Sequence, residues 1–337
     1  MHVRITQLDG KLPNLALMRL AHYHRERGDT VHFIKSTARD AFEPAYDRVY
    51  GSAIFQQPKS IARIEELKAQ FPGAIISGTG IGSPHLTVED VIGEHDGVSY
   101  DGYKFDGSIG FTQRGCRLKC GFCVVPRKEG KNRTVATIAD IWRGAPYPKH
   151  IHLLDNDFFG QPREQWEARV QEIIDGGFQI CLNQGINTRM IDDVSAAALK
   201  RMGYWDDSFK VKRLYTAWDN IGDEGRFFKG VDTLEAHGIP PSHLTVYMLI
   251  GYDKRETWER VLYRFDKMLA RRIRPYPMVY GDRNSLLPLG GCNQRVAHRT
   301  LGEFQRYAIR RLYSICRFED YDRGNRDTRG RPDLFAS

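Results

Sequence analysis

The sequence predicts an α/β protein in which a small doubly wound domain precedes an incomplete (β/α)6 barrel and a C-terminal extension of helix and loop. Three observations predict this. Short apolar runs rich in Val, Ile and Leu alternate with amphipathic stretches of helical period, an order that builds parallel sheets. Gly and Pro punctuate the junctions between them. The length of 337 residues exceeds what a single core ordinarily serves, so two domains are expected.

In the first domain, taken as residues 1–84, strands are expected at 3–8, 30–34, 48–55 and 74–77, with helices at 13–27 and 60–71. Pro13 stands near the start of the first helix and Gly28 just past its end, and the turn Pro72-Gly73 follows the second. The fourth strand runs into Gly78-Thr79-Gly80-Ile81-Gly82, and ligand-capable loops are expected at the carboxyl ends of the strands. A linker of mixed polarity is expected over 85–106. In the barrel, taken as 107–292, strands are expected at 108–112, 150–154, 179–183, 214–218, 244–250 and 274–280, with helices including 164–175, 194–202 and 258–271. The extension, 293–337, carries an expected helix over 301–317 and then a polar, arginine-rich loop.

The chain is 27% charged and 41% hydrophobic and has no long uncharged apolar run, which excludes a membrane-spanning helix. The opening MHVRITQLDG lacks the form of a secretory leader, and a cytoplasmic protein with no membrane partner is expected. Fifty Lys and Arg face 42 Asp and Glu, and the excess is uneven: residues 1–100 carry 11 basic and 12 acidic side chains, the remainder 39 and 30. The densest basic run is Arg114, Arg117, Lys119, Arg127, Lys128, Lys131 and Arg133, opposed only by Glu129. Such a patch suits an anionic, phosphate-bearing substrate or is simply a solvated face.

None of the six cysteines precedes Cys116, and three of them, Cys116, Cys120 and Cys123, fall within eight residues. That is a poor disulfide framework and a good metal site. Thiolates at spacings of x3 and x2 can hold three irons of a cubane and leave the fourth open to a small chelating molecule. A structural zinc site, or an electron-transfer cluster completed by a distant ligand, would use the same residues. Cys181, Cys292 and Cys316 read as small buried hydrophobes. His22, His24, His150 and His152 show no helical metal spacing with carboxylates and read as structural.

The segment Cys116-Arg117-Leu118-Lys119-Cys120-Gly121-Phe122-Cys123, with the barrel pattern around it, resembles the radical S-adenosylmethionine superfamily, whose motif is CxxxCxΦC with Φ aromatic. The resemblance implies a 4Fe–4S cluster on Cys116, Cys120 and Cys123, with Phe122 at the aromatic position. It further implies cleavage of S-adenosylmethionine to a 5′-deoxyadenosyl radical, with electrons from a reductase such as a flavodoxin or ferredoxin. The strand ends would then grip the nucleoside and the methionine. After the second strand, Asp155 and Asn156 stand where the family often has Gly-Gly-Glu, and would accept from the methionine ammonium. After the third, Arg189 would pair with the carboxylate and Asn183 or Asn187 with the ribose. Trp218 and Asp219 end the fourth strand, Gly251 follows the fifth in a segment resembling the adenine contact, and Tyr276 and Met278 close the sixth.

The first domain resembles the Rossmann-like domains of cobalamin-binding radical enzymes and of methylthiotransferases. The latter carry cysteines there and this chain has none. In place of Asp-x-His-x-x-Gly the chain has Asp9-Gly10-Lys11-Leu12-Pro13-Asn14, without a histidine for cobalt, although residues 77–82 resemble the glycine-rich loop near a cobalamin tail. A degenerate domain is therefore favoured over cobalamin binding. Segments 13–18, 46–50 and 123–130 also resemble radical proteins of phages and mobile elements, some of which hypermodify DNA bases. The expected substrate is a nucleotide or nucleic-acid base, gripped through the basic loop and through Arg310, Arg311, Arg317, Arg323, Arg326, Arg329 and Arg331. Cobalamin-dependent methylation of a peptide or metabolite, and a non-catalytic iron–sulfur or zinc module binding nucleic acid, are the competing readings.

Overall fold

The computed structural model describes residues 1–82 and 86–322, and within them the chain is mixed α/β with parallel sheets. It divides into two units, Met1–Ile109 with Ala145–Pro148, and Gly110–Gly144 with the chain from Lys149 onward.

The first unit comprises β1 (His2–Gln7), α1 (Leu15–Glu26), β2 (Thr30–Phe33), β3 (Arg48–Ser52), α2 (Pro58–Gln70), β4 (Ile75–Ser77) and the short α3 (Glu89–Ile92). The strands are parallel in the order β2-β1-β3-β4, so the chain reverses its winding between β1 and β3. Successive strand residues point to opposite faces, and the packing follows that alternation. Val3, Ile5 and Tyr50 pack with Leu17, Leu20 and Ala21 of α1, while Val49 and Ile76 pack with Ile64 and Leu67 of α2. Each fully buried leucine here contributes roughly 1.5–3 kcal/mol. Asn14 starts α1 by accepting from the amides of Ala16 (3.1 Å) and Leu17 (3.3 Å). Arg4 is fully buried on β1, where it donates to the carbonyls of Ser36 (2.7 Å) and Ala38 (3.2 Å) and pairs with Glu43.

The expected linker over 85–106 belongs in good part to this unit. Its backbone is fastened to α1, with Ser99 N–H donating to the Met18 carbonyl at 3.1 Å and Arg19 pairing with Glu89.

The second unit runs β5 (Ser108–Gly110), which begins at the boundary, β6 (Gln113–Arg114), α4 (Val125–Lys128), β7 (Arg133–Thr134), α5 (Ile138–Ile141), β8 (His150–Leu153) and α6 (Arg163–Gly176). It continues with β9 (Gln179–Leu182), α7 (Asp193–Met202), β10 (Leu214–Ala217), α8 (Glu224–Ala236), β11 (Leu244–Ile250), α9 (Trp258–Ala270), β12 (Arg274–Val279) and α10 (Leu301–Ile309). Two three-stranded sheets form, ordered β5-β8-β9 and β10-β11-β12, with β8–β9 and β10–β11–β12 parallel. Just past β9, the Ile186 N–H donates to the Tyr215 carbonyl of β10 at 2.8 Å. Ile151, Leu153, Ile180, Leu182, Leu214, Val246, Met248 and Ile250 point into one core beneath the helices. The alternate residues, including His152, Cys181, Asn183, Tyr215, Tyr247 and Tyr276, form a polar, aromatic second face.

Two features differ from expectation. A small antiparallel ladder joins β6 to β7, in a stretch expected to be loop. The helix expected over 301–317 ends at Ile309, because Arg311 takes a left-handed conformation (φ 56°) and turns the chain so that Phe318 and Tyr321 pack on Tyr307.

Candidate functional site: a three-cysteine loop at the strand ends

The loop bearing the cysteines closes on itself before any ligand is considered. Gly115 has φ +79°, and a Cβ on it would come within 2.2 Å of the Lys131 carbonyl, so only glycine lets the two ends of the loop approach. The buried Gln113 side chain donates to the carbonyls of Arg114 (2.6 Å) and Gly115 (2.7 Å) and to Asn132 (2.9 Å), and accepts from Asp157 N–H (3.0 Å). Glu129 accepts from Gly115 N–H (3.1 Å) and from Asn156 Nδ2 (2.8 Å). Arg117 makes a two-pronged pair with the buried Asp157, at 2.7 and 3.0 Å.

Cys116, Cys120 and Cys123 are free thiols, each partly exposed. Leu118 N–H donates to Cys116 Sγ at 3.4 Å, and Cys123 N–H donates to the Cys120 carbonyl at 3.0 Å. Burial pushes the Cys116 and Cys123 thiols up from their ordinary range, with the other cysteines of the loop adding to it. The three thiols are not all drawn within 4.8 Å of one another. Phe122 packs edge-on against Tyr252, with ring centres 5.4 Å apart.

Several expected site residues converge on this loop. Arg189 lies within hydrogen-bonding reach of Cys120 and is held by Asp223 at 2.6 Å; its turn, Thr188–Met190, is tied to β10 by the Thr188–Thr216 hydroxyl bond of 2.6 Å. Asn187 accepts weakly from Arg189 Nε (3.4 Å), and its own Nδ2 is buried with no hydrogen-bond partner among the described residues. Asp219 interacts electrostatically with Cys123 and accepts from Leu249 N–H at 2.9 Å. Burial pushes the Asp219 carboxyl up, against that amide and the Arg264 and Arg189 guanidiniums. Asn156 joins the group through Glu129.

Others lie elsewhere. Asp155 is buried and accepts from both amides of Thr112 and Gln113 (2.7 and 3.2 Å) and from the Thr112 hydroxyl, so its carboxylate is engaged in anchoring the root of the loop; burial raises its pKa to about 7 despite those donors. Trp218 is fully buried in the core, stacked on Phe227 at 5.2 Å, because it shares the core-facing register of Leu214 and Thr216. Asn183 bonds His152 (3.1 Å) on the polar face, where Tyr276 meets Tyr247 edge-on and Cys181 is fully buried. Burial raises the Cys181, Tyr215 and Tyr247 groups, the last to about 12, and lowers His152, and Asp207 acts electrostatically on all four. Gly251, in a left-handed turn (φ +83°), donates to Glu256 at 2.6 Å, and Met278 is exposed.

Arg264 is the residue that sequence reasoning missed. It is buried on α9, pairs with Glu256, and donates to the carbonyls of Trp218 (3.1 Å), Asp219 (2.9 Å) and Leu249 (3.1 Å), fixing the ends of β10 and β11. Its position on the apolar stripe with Val261, Phe265 and Met268 was the available signal. Of the basic residues, Lys119, Arg127, Lys131, Arg133, Arg310, Arg311 and Arg317 are exposed. Arg323, Arg326, Arg329 and Arg331 lie outside the described residues.

These features define an α/β chain with three thiols, a guanidinium and a carboxylate grouped beyond the carboxyl ends of its strands. No protein-family model, curated protein or solved structure matches it.

Proposed function

We propose that the chain is a radical S-adenosylmethionine enzyme whose second unit is a partial (β/α)6 barrel. The observation that carries this is Arg189 within hydrogen-bonding reach of Cys120, with Asp219 near enough to act electrostatically on Cys123, beyond the carboxyl ends of β9 and β10. The donor set fits the group: three free thiols on one preformed loop, spaced x3 and x2. When bound, the 4Fe–4S cluster and S-adenosylmethionine supply one-electron cleavage to a carbon radical. The chain's own part is binding and orientation. Arg189, steadied by Asp223, offers a cation to a carboxylate, and Asp219 offers an acceptor to an ammonium. The aromatic, polar face of Tyr215, Tyr247, Tyr276 and Asn183 offers an uncharged ring stacking and hydrogen bonds.

For the substrate we propose a nucleotide or nucleic-acid base, on the exposed cations Lys119, Arg127, Lys131 and Arg133 of the loop. The first unit, with helices on both faces of its sheet and no cysteine, reads as a degenerate Rossmann-like domain that has kept the fold.

Electron paramagnetic resonance of the anaerobically reconstituted, reduced protein tests the chemistry. A 4Fe–4S signal that shifts on adding S-adenosylmethionine and is lost in Cys120→Ser is expected; a signal indifferent to S-adenosylmethionine overturns it. Binding to single-stranded DNA should weaken about fiftyfold between about 50 and about 200 mM salt if four phosphates are contacted. Salt-insensitive binding rules out that substrate.

A further inference from the structure

We propose that His22, Glu26 and His95 form a binding site for one zinc-class divalent cation in the first unit, separate from the cysteine loop and independent of the reading given to it. Among the described residues, these three bring one ligand atom each within 4.8 Å of the others. His22 Nδ1 faces His95 Nε2 at 2.9 Å, and Glu26 Oε2 stands 3.5 Å from the first nitrogen and 3.8 Å from the second. Zinc bonds of about 2.0–2.1 Å in a tetrahedron place ligand atoms about 3.3–3.4 Å apart, so the three observed edges bracket the required one. Two neutral imidazoles facing each other satisfy one lone pair with one proton; a cation uses both lone pairs and the carboxylate as well.

The donors are also well placed to stay together. His22 and Glu26 are one helical turn apart on α1, on the same face. This is the spacing with a carboxylate that the sequence reading of His22 overlooked. His95 comes from the stretch after α3, and its backbone is pinned there: Arg19 Nε donates to the His95 carbonyl at 2.6 Å, and Ser99 N–H to the Met18 carbonyl at 3.1 Å. Between these ties Gly97 packs against the His22 ring, so close that a Cβ would come within 2.1 Å of it. The imidazole can therefore swing away only if the whole strap moves. His95 is 15% exposed and Glu26 is 58% exposed, so the fourth position opens to water. With two nitrogens, one oxygen and an open position, the set is that of zinc rather than of magnesium or calcium, which favour all-oxygen shells. The bound ion would staple residues 93–99 to α1.

The test uses the full chain with Cys116, Cys120 and Cys123 changed to serine, which removes competition from the loop. Zinc is titrated against a chromophoric chelator and cobalt is followed by its visible absorption. One equivalent of each is expected, with a rise in melting temperature on adding zinc. His95→Gln and His22→Gln should each weaken binding at least about a hundredfold, and Glu26→Gln less. Because Gly97 packs on His22, circular dichroism of His22→Gln checks the fold, and His95→Gln serves if that variant is perturbed. Absence of stoichiometric binding in the parent overturns the proposal, as does binding unchanged in the folded histidine variants.

Discussion

The sheet β2-β1-β3-β4 and the sheet β10-β11-β12 are built from the same alternation of strand and helix, but they differ in their second face. In the first unit, neighbouring strand residues enter two apolar clusters, one under each helix. In the second, one face joins the core, and the other carries Tyr215, Tyr247 and Tyr276, with His152 on β8, Cys181 on β9 and Asn183 just past it continuing the polar face. Burying apolar surface on both faces serves stability alone. A polar face adds little stability, so the groups on it are free to serve binding.

The largest expected effect probes what holds the second sheet's strand ends. Arg264→Ala leaves Glu256 buried without its cation and should cost about 3–5 kcal/mol in denaturant unfolding; a loss below about 1 kcal/mol would mean the strand ends do not depend on it. Next comes the contrast between the two faces, read from adjacent residues of one strand that are both fully buried. Ile180→Ala should cost about 2–5 kcal/mol, and Cys181→Ala only about 1 kcal/mol. Equal losses would make the polar face part of the core and erase the distinction.

A pH effect follows from Asp155. Its pKa of about 7 lies above the ordinary 3.8, so the folded state holds the proton more tightly than the unfolded chain does. The stabilisation is complete below the unfolded value and is lost as pH rises through about 7, with a slope of at most about 1.4 kcal/mol per pH unit. Relative to Asp155→Asn, the protein should lose stability between about pH 5 and about pH 8; parallel profiles would show the carboxyl ionised throughout. The smallest effect belongs to the first unit, where Asn14→Ala removes the cap of α1 and should cost about 1 kcal/mol by chemical denaturation.

Much of this was legible in the sequence because periodicity reports on burial. The expected strands of both units lie where apolar runs predicted them, within a few residues, and Cys116, Cys120 and Cys123 share one short loop. Trp218 was readable in principle, since the two-residue period from Leu214 through Thr216 assigns it to the core. Its place at a strand end suggested a ligand contact instead. Arg264 and Arg4 were obscured by the ordinary expectation that arginine is exposed; each is buried because carbonyls from distant segments converge on it. The β6–β7 ladder was hidden for another reason. It has two residues a side, too few for any period to show.

Glu129, Gln113 and the contact of Gly115 with Lys131 close the cysteine loop through protein atoms alone. The entropy of ordering some fifteen residues is thus met during folding rather than when a ligand binds. On the cluster reading proposed above, maturation is paced by delivery of iron and sulfide, with no slow rearrangement of the chain. On that reading, the loop without its cluster keeps the shape in which it binds one.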